Sequence, residues 1–341
     1  MSTSPVSPPS GPSDLQVHPS RWCQLQCRHC YTSSGPDQRD ALPADVLEQA
    51  VREAAGLGFG TLSISGGEPL LYPGLAALLA AGQRAGLRTA FTTNALGLSA
   101  RRVAELAPVT DLVAVSVDGR PGSHDLMRGR RGAFDVMRSR LAHLRSAGVR
   151  FGFITTLTQH NVHELDWLID FAVAEGAAQL QVHPLDGQGR ALDELPGARP
   201  DVVELAVALL AAAATAPPQL RVLVDVTRRD ELAAHPASYG AAVATGDPPA
   251  QLGSWLPSLV VEPDGWLSPL TYGLHRRWGL GSLRDSGLAE LAARWVDTTA
   301  PVLVEAVADA RARVLASGTP LLLWTEALRH LLEPEVVSAA T

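Results

Sequence analysis

The 341-residue chain contains no lysine, so its 28 permanently charged basic side chains are all arginine. That excludes Schiff-base chemistry on a lysine amine and any phosphate loop built on Gly-Lys-Ser/Thr. Asparagine occurs only at Asn94 and Asn161, and cysteine only three times. The longest uncharged apolar run, LAVALLAAAATAPP from Leu205, falls short of the roughly 20 residues of a membrane span. A basic excess is missing too. The net charge is −7 and no basic run stands out, which argues against nucleic acid as a partner. The opening MSTSPVSPPSGPSD lacks the basic region and apolar segment of a signal peptide, and residues 1–13 read as a disordered tail. These absences predict a soluble cytoplasmic protein with reduced thiols and no membrane partner.

What is present is a globular composition, 46% hydrophobic and 18% charged, able to build a sizeable core. Strand candidates span 15–20, 61–67, 88–95, 112–119, 150–158 and 178–186. Their β-branched and apolar content suits strands buried on both faces. Between them lie helix candidates such as PADVLEQAVREAAGLG and PGLAALLAAGQRAG, each ending at a glycine turn. Repeated strand then helix predicts an α/β fold with a parallel sheet and right-handed crossovers. Six units over 14–190 give a partial (β/α)6 barrel, with an open doubly wound sheet as the alternative. Residues 191–250 read as a connection containing the helix PDVVELAVALLAAAATA, the apolar run LRVLVDVT and the start of the polar GDPPAQLGS. Residues 251–341 read as a small α+β extension. There, SLVVEPDGWLSPLTYG predicts two short strands about a Pro-Asp-Gly turn, and two or three helices follow.

All three cysteines lie in RWCQLQCRHCY, residues 21–31, as Cys23, Cys27 and Cys30. This C-x3-C-x2-C follows the first strand candidate, where loops leaving the C-terminal ends of parallel strands build sites. Thiolates this close suit a soft metal centre. A disulfide would leave one thiol over. A zinc site needs a fourth ligand, for which His29 is the neighbouring candidate. A four-iron cubane held by three cysteines leaves one iron open to another ligand. The spacing by itself leaves these alternatives standing.

CQLQCRHC resembles the cluster loop of the radical S-adenosylmethionine superfamily, and the first 190 residues agree with that resemblance. It implies one [4Fe-4S] cluster held by Cys23, Cys27 and Cys30, with S-adenosylmethionine chelating the open iron through its amino and carboxylate groups. His29 fills the family's aromatic position before the last cysteine and would stack on adenine. SISGGEPLL is similar to the family's Gly-Gly-Glu-Pro motif. Gly66 and Gly67 would let the ligand approach the backbone, and Glu68 would accept from its amino group. The resemblance further implies cofactor contacts from Asn94 in FTTNAL and from Ser116 and Asp118 in VSVDG. Asp118 reads equally as a helix cap. In HDLMRGRRGAFD, Arg128 is placed to meet the cofactor carboxylate. Thr155, Thr156, Asn161 and His183 are expected at the substrate mouth.

LVVEPDGWLSPLTYGLHRRWGLGSLRDSGLAELAARW resembles the SPASM-type extension of peptide-modifying members, with two departures. Pro269 is followed by Leu270 where that pattern has cysteine, and Gly281 by Ser282 where it has asparagine. With no thiol in this third of the chain, no second cluster is expected. The activity implied is reductive cleavage of S-adenosylmethionine to a 5′-deoxyadenosyl radical, which abstracts hydrogen from a peptide or small natural-product precursor. A flavodoxin or ferredoxin would supply the electron. The alternatives are tetrapyrrole or other cofactor maturation, or a zinc- or cluster-holding protein without catalysis.

Overall fold

The computed structural model describes residues 13–240 and 251–333. The expected tail, but for Ser13, and most of GDPPAQLGS lie outside these residues. In chain order the first part comprises β1 (Asp14–Val17), α1 (Ala44–Gly56), β2 (Thr61–Ile64), α2 (Leu75–Arg84), β3 (Arg88–Thr93), α3 (Ala100–Leu106) and β4 (Leu112–Ser116). There follow α4 (Pro121–Arg128), α5 (Ala133–Ser146), β5 (Phe151–Leu157), α6 (Leu165–Ala174), β6 (Gln179–Pro184), α7 (Ala191–Glu194), α8 (Val202–Thr215) and β7 (Arg221–Val224). The remainder is β8 (Thr227–Arg228), α9 (Arg229–Ala234), β9 (Ser258–Val261), β10 (Trp266–Pro269), β11 (Gly281–Ser282), α10 (Leu288–Thr298), α11 (Ala300–Ser317), β12 (Leu321–Leu322) and α12 (Trp324–Leu332).

Among the described residues one sheet runs β11-β10-β9-β1-β2-β3-β4-β5-β6-β7. From β9 through β7 every pairing is parallel, while β10 and β11 are antiparallel additions. No ladder joins β7 to β11, so the barrel is partial and stays open. Six strands were read for the barrel core and two for the hairpin, and the sheet carries ten. LRVLVDVT supplies β7, whose Val222 and Val224 are buried while Leu223 faces the concave side. The Pro-Asp-Gly hairpin forms as read, and its first strand β9 pairs directly with β1. The extension thus continues the barrel sheet at its other edge. Among the described residues no helix is long and apolar enough to cross a membrane.

The core lies between the sheet and its helices. Leu47, Ala50, Val51 and Ala54 of α1 recur at helical spacing on one buried face. Leu15 and Val17 of β1 and Leu62 and Ile64 of β2 meet that layer. The alternate residues point the other way, as strand geometry requires. Asp14, Gln16, Ser63, Thr92, Ser116, Thr156, Gln181 and His183 border a concave cavity of ≈ 860 Å³. The strands are therefore not apolar on both faces as expected. A closed eight-strand barrel packs its interior with branched side chains, whereas this open one keeps a polar inner wall.

Asp14 marks the far end of that wall, where it accepts a hydrogen bond from Ser63 Oγ at 2.9 Å. Burial pushes its carboxyl up to about 6. A folded-state value above the unfolded one means the native chain holds the proton longer, so stability falls as pH rises from about 4 to 6. Asp14→Asn should then be more stable than the parent at pH 8, on the order of 1–3 kcal/mol, with the gap closing at pH 4. Urea unfolding at the two pH values checks this; an equal gap at both refutes it.

Candidate active site

Beyond β1 the chain crosses the open end of the barrel as the cysteine loop. Its two arms pair through Cys23 N–H to Gly35 O and Gly35 N–H to Arg21 O, both 3.1 Å. Arg190, just after β6, fastens the loop from outside. Its guanidinium donates to Cys27 O at 2.6 Å and Ser34 O at 2.7 Å, and its backbone N–H to Cys30 O at 3.0 Å. Cys23 and Cys27 are buried, Cys30 is partly exposed, and all three are free thiols bordering the cavity.

The Gly-Gly-Glu-Pro segment follows β2 and lies under this loop. Gly67 N–H donates to Ser20 O at 2.9 Å, and Glu68 N–H to Trp22 O at 2.8 Å. A Cβ on Gly67 would stand 2.2 Å from Trp22 O; one on Gly66, whose φ is +96°, would stand 2.8 Å from Ser20 O. Both positions exclude side chains because the cysteine loop packs against them, although both residues also border the cavity. Glu68 is buried and turned to the same task. It accepts from Thr93 Oγ1 at 2.7 Å, Asn94 N–H at 2.8 Å and Leu70 N–H at 3.1 Å. Burial raises its pKa despite these donors. Asn94 directs Nδ2 towards Cys23 Sγ at 3.7 Å and accepts from Gln24 Nε2 at 3.1 Å.

Past β4, Asp118 is wholly buried. Its Oδ2 lies 2.7 Å from Arg128 Nε, as an ion pair out of line for a hydrogen bond, and 3.1 Å from His29 Nε2. Oδ1 accepts from Thr156 N–H at 3.1 Å. Burial works against the charged carboxylate, yet Arg128 and His29 hold its pKa far below the usual range. Arg128 also reaches Cys27 Sγ at 3.8 Å through Nη1.

Residues 17–172 match the sequence profile described as the Radical SAM superfamily. They form a radical SAM domain. The chain is 31% identical over 175 residues to the pre-heme d1 synthase of Dinoroseobacter shibae, covering 50% of this chain and 43% of that protein. It is 31% identical over 166 residues to the PqqA peptide cyclase of Ruegeria pomeroyi, covering 47% and 44%. The match thus spans less than half the length of these curated relatives. In fold it resembles Streptococcus suis SuiB solved with its precursor peptide SuiA. There the TM-score is 0.67 at 18% identity, over 86% of this chain and 67% of that one.

Radical SAM proteins bind a [4Fe-4S] cluster and S-adenosylmethionine, and the donor set here fits that pair. Burial raises the Cys27 thiol and pushes Cys23 up to about 12. Reactive cysteines have the opposite shift, and a bound metal would ionise thiols placed in this way. Among the described residues no three His, Cys, Asp or Glu side chains close to the geometry of a single bound ion. A cubane, in contrast, takes each thiolate on a different iron.

In the radical SAM domain, His29, Gly66, Gly67, Glu68, Asn94, Ser116 and Arg128 border the same cavity as the cysteines, and Asp118 stands behind them. Thr156 and His183 also border it, the latter ion-paired to Asp225. Thr155 and Asn161 do not. Thr155 occupies the helix-facing register of β5. Asn161 is buried and ties Asp118 O to Thr156 O, at 3.0 and 2.9 Å.

Sequence reading missed Arg190, for which only its place after a strand end offered a signal. It also missed the His18–Tyr31–Tyr272 ring cluster, whose centroids lie 5.1–5.9 Å apart, linking β1, the cysteine loop and the extension. Gly67→Ala should displace the loop, costing about 1–3 kcal/mol by overpacking and lowering iron uptake. Thermal melting with iron analysis checks this; a variant matching the parent in both would remove the packing argument.

Proposed function

We propose that the chain reductively cleaves S-adenosylmethionine at a [4Fe-4S] cluster and removes hydrogen from a peptide or small natural-product precursor. The observation that carries this reading is the shared cavity, onto which three cysteines, the Gly-Gly-Glu-Pro loop and the C-terminal extension all open. Its ≈ 860 Å³ lies in the range of small-molecule and cofactor sites. Once bound, the cluster and S-adenosylmethionine supply one-electron cleavage of the sulfonium and the hydrogen-abstracting power that side chains lack.

The chain's own part is to bind, orient and exclude water. Cys23, Cys27 and Cys30 would hold the cluster. Gly66, Gly67, Glu68, Asn94 and Ser116 border the cavity beside His29 and Arg128, and S-adenosylmethionine would lie against them. The substrate wall would come from the extension. Leu270, Tyr272, Trp324 and Leu328 line the cavity there, and Arg329 fastens α12 to Asp186 at 2.5 Å and to Thr271 at 3.1 Å. The electron would come from a flavodoxin or ferredoxin in a reducing cytoplasm.

Similarity to the PqqA peptide cyclase and the fold shared with peptide-bound SuiB support a peptide as substrate. A tetrapyrrole is the second reading, favoured by 34% identity over 173 residues to the AdoMet-dependent heme synthase of Methanosarcina barkeri.

Anaerobic reconstitution should give about four irons per chain and brown absorbance near ~400 nm. Dithionite with S-adenosylmethionine should then yield 5′-deoxyadenosine by chromatography and mass spectrometry. Cys27→Ala should lose both absorbance and product. A Cys27→Ala protein with full cluster and turnover would sink the assignment, and iron near eight per chain would sink the single-cluster reading.

A further inference from the structure

We propose that Arg128 is a positioning residue that raises the reduction potential of the cluster by holding a fixed positive charge against the Cys27 sulfur. This rests on reading the three thiols as cluster ligands. A guanidinium keeps its charge in any protein environment, and this one is buried, where salt screens poorly. Its Nη1 lies 3.8 Å from Cys27 Sγ. Net charge and hydrogen bonds at the sulfurs are what set iron–sulfur potentials. One added electron makes the cluster more negative, so an adjacent cation favours the reduced form.

The contact is built by the backbone as well as by the side chain. Arg128 ends α4, and the turn behind it docks on the cysteine loop. Arg28 N–H donates to Met127 O at 2.9 Å, and a Cβ on Gly129, at φ +64°, would stand 3.0 Å from Gln26 O. Asp118 holds the guanidinium through a different nitrogen, Nε, leaving Nη1 for the sulfur. The hydrogen-bond partners of the other two thiols are neutral. Cys23 faces the Asn94 amide at 3.7 Å, and Cys30 the Thr32 hydroxyl and the Ser34 N–H, both at 3.3 Å. Among these contacts the charge reaches Cys27 alone.

The test is a redox titration of the reconstituted protein, followed by cluster absorbance and electron paramagnetic resonance, on the parent, Arg128→Gln, Arg128→Met and Arg128→Lys. The neutral variants should load iron, and their reduced-to-oxidised ratio at a given potential should fall about tenfold, about 59 mV for one electron. Arg128→Lys should recover most of that shift, because charge rather than shape carries it. A neutral variant with full iron and the parent's potential would overturn the proposal. So would failure of both neutral variants to take up iron, since Arg128 would then be holding the loop rather than tuning what it binds. A parent protein that assembles no cluster refutes the earlier reading instead, and does so before any variant is compared.

Discussion

The site depends on one desolvated anion. Asp118 has no exposed surface, and removing a carboxylate from water costs several kcal/mol unless partners offset it. Those partners come from separate pieces of chain: Arg128 from α4, His29 from the cysteine loop and the Thr156 N–H from β5. Its own backbone is engaged as well, its N–H donating to His124 Nδ1 at 3.2 Å and its carbonyl accepting from Asn161. Each strand end carries its own loop, and a loop without such ties could move independently. A buried charge that draws partners from several loops at once limits that freedom and sets the loops in register.

The cysteine loop is fixed by a second constraint of another kind. Nothing larger than hydrogen fits on Gly67 beneath the Trp22 carbonyl, so the two loops approach backbone to backbone. Glu68 then spends its carboxylate on Thr93, Asn94 and Leu70, carrying the order on to β3. Arg190 closes the other side with donors to Cys27 and Ser34 carbonyls. Three successive strand ends and the residue after β6 thereby hold the thiols through main-chain contacts, leaving the sulfurs themselves towards the cavity.

Much of this was legible in the sequence because it is local. Three thiols in eight residues, a Gly-Gly-Glu-Pro after a β run, and strand–helix alternation all announce themselves within short windows. The rest was hidden because it is tertiary. LRVLVDVT reads as an apolar run, but only the exposed edge of β6 makes it the seventh parallel strand. SLVV reads as half a hairpin, and nothing near it says that β1 is its other neighbour. Arg190 lies 163 residues from the Cys27 carbonyl it binds, beyond the reach of any spacing rule. Asn161 was expected at the mouth from its place near the end of the fifth strand, yet its amide is spent on the Asp118 and Thr156 carbonyls.

The thiol-free extension has a clear structural task. β9 covers the edge of β1 that an open barrel would otherwise expose, and unpaired strand edges invite association with other chains. Having covered it, the chain turns through Leu270, at φ +69°, and brings Tyr272 against Tyr31 and His18. A leucine in the left-handed region is strained, and such strain persists where surrounding structure over-determines it. Here the Leu270 side chain packs where Gly240 has none, with a Cβ there falling 2.6 Å away. The wall of the cavity is thus set by apolar and aromatic packing at the position where the resembling pattern carries a cysteine. Sheet continuation and ring packing hold the extension beside the cysteine loop.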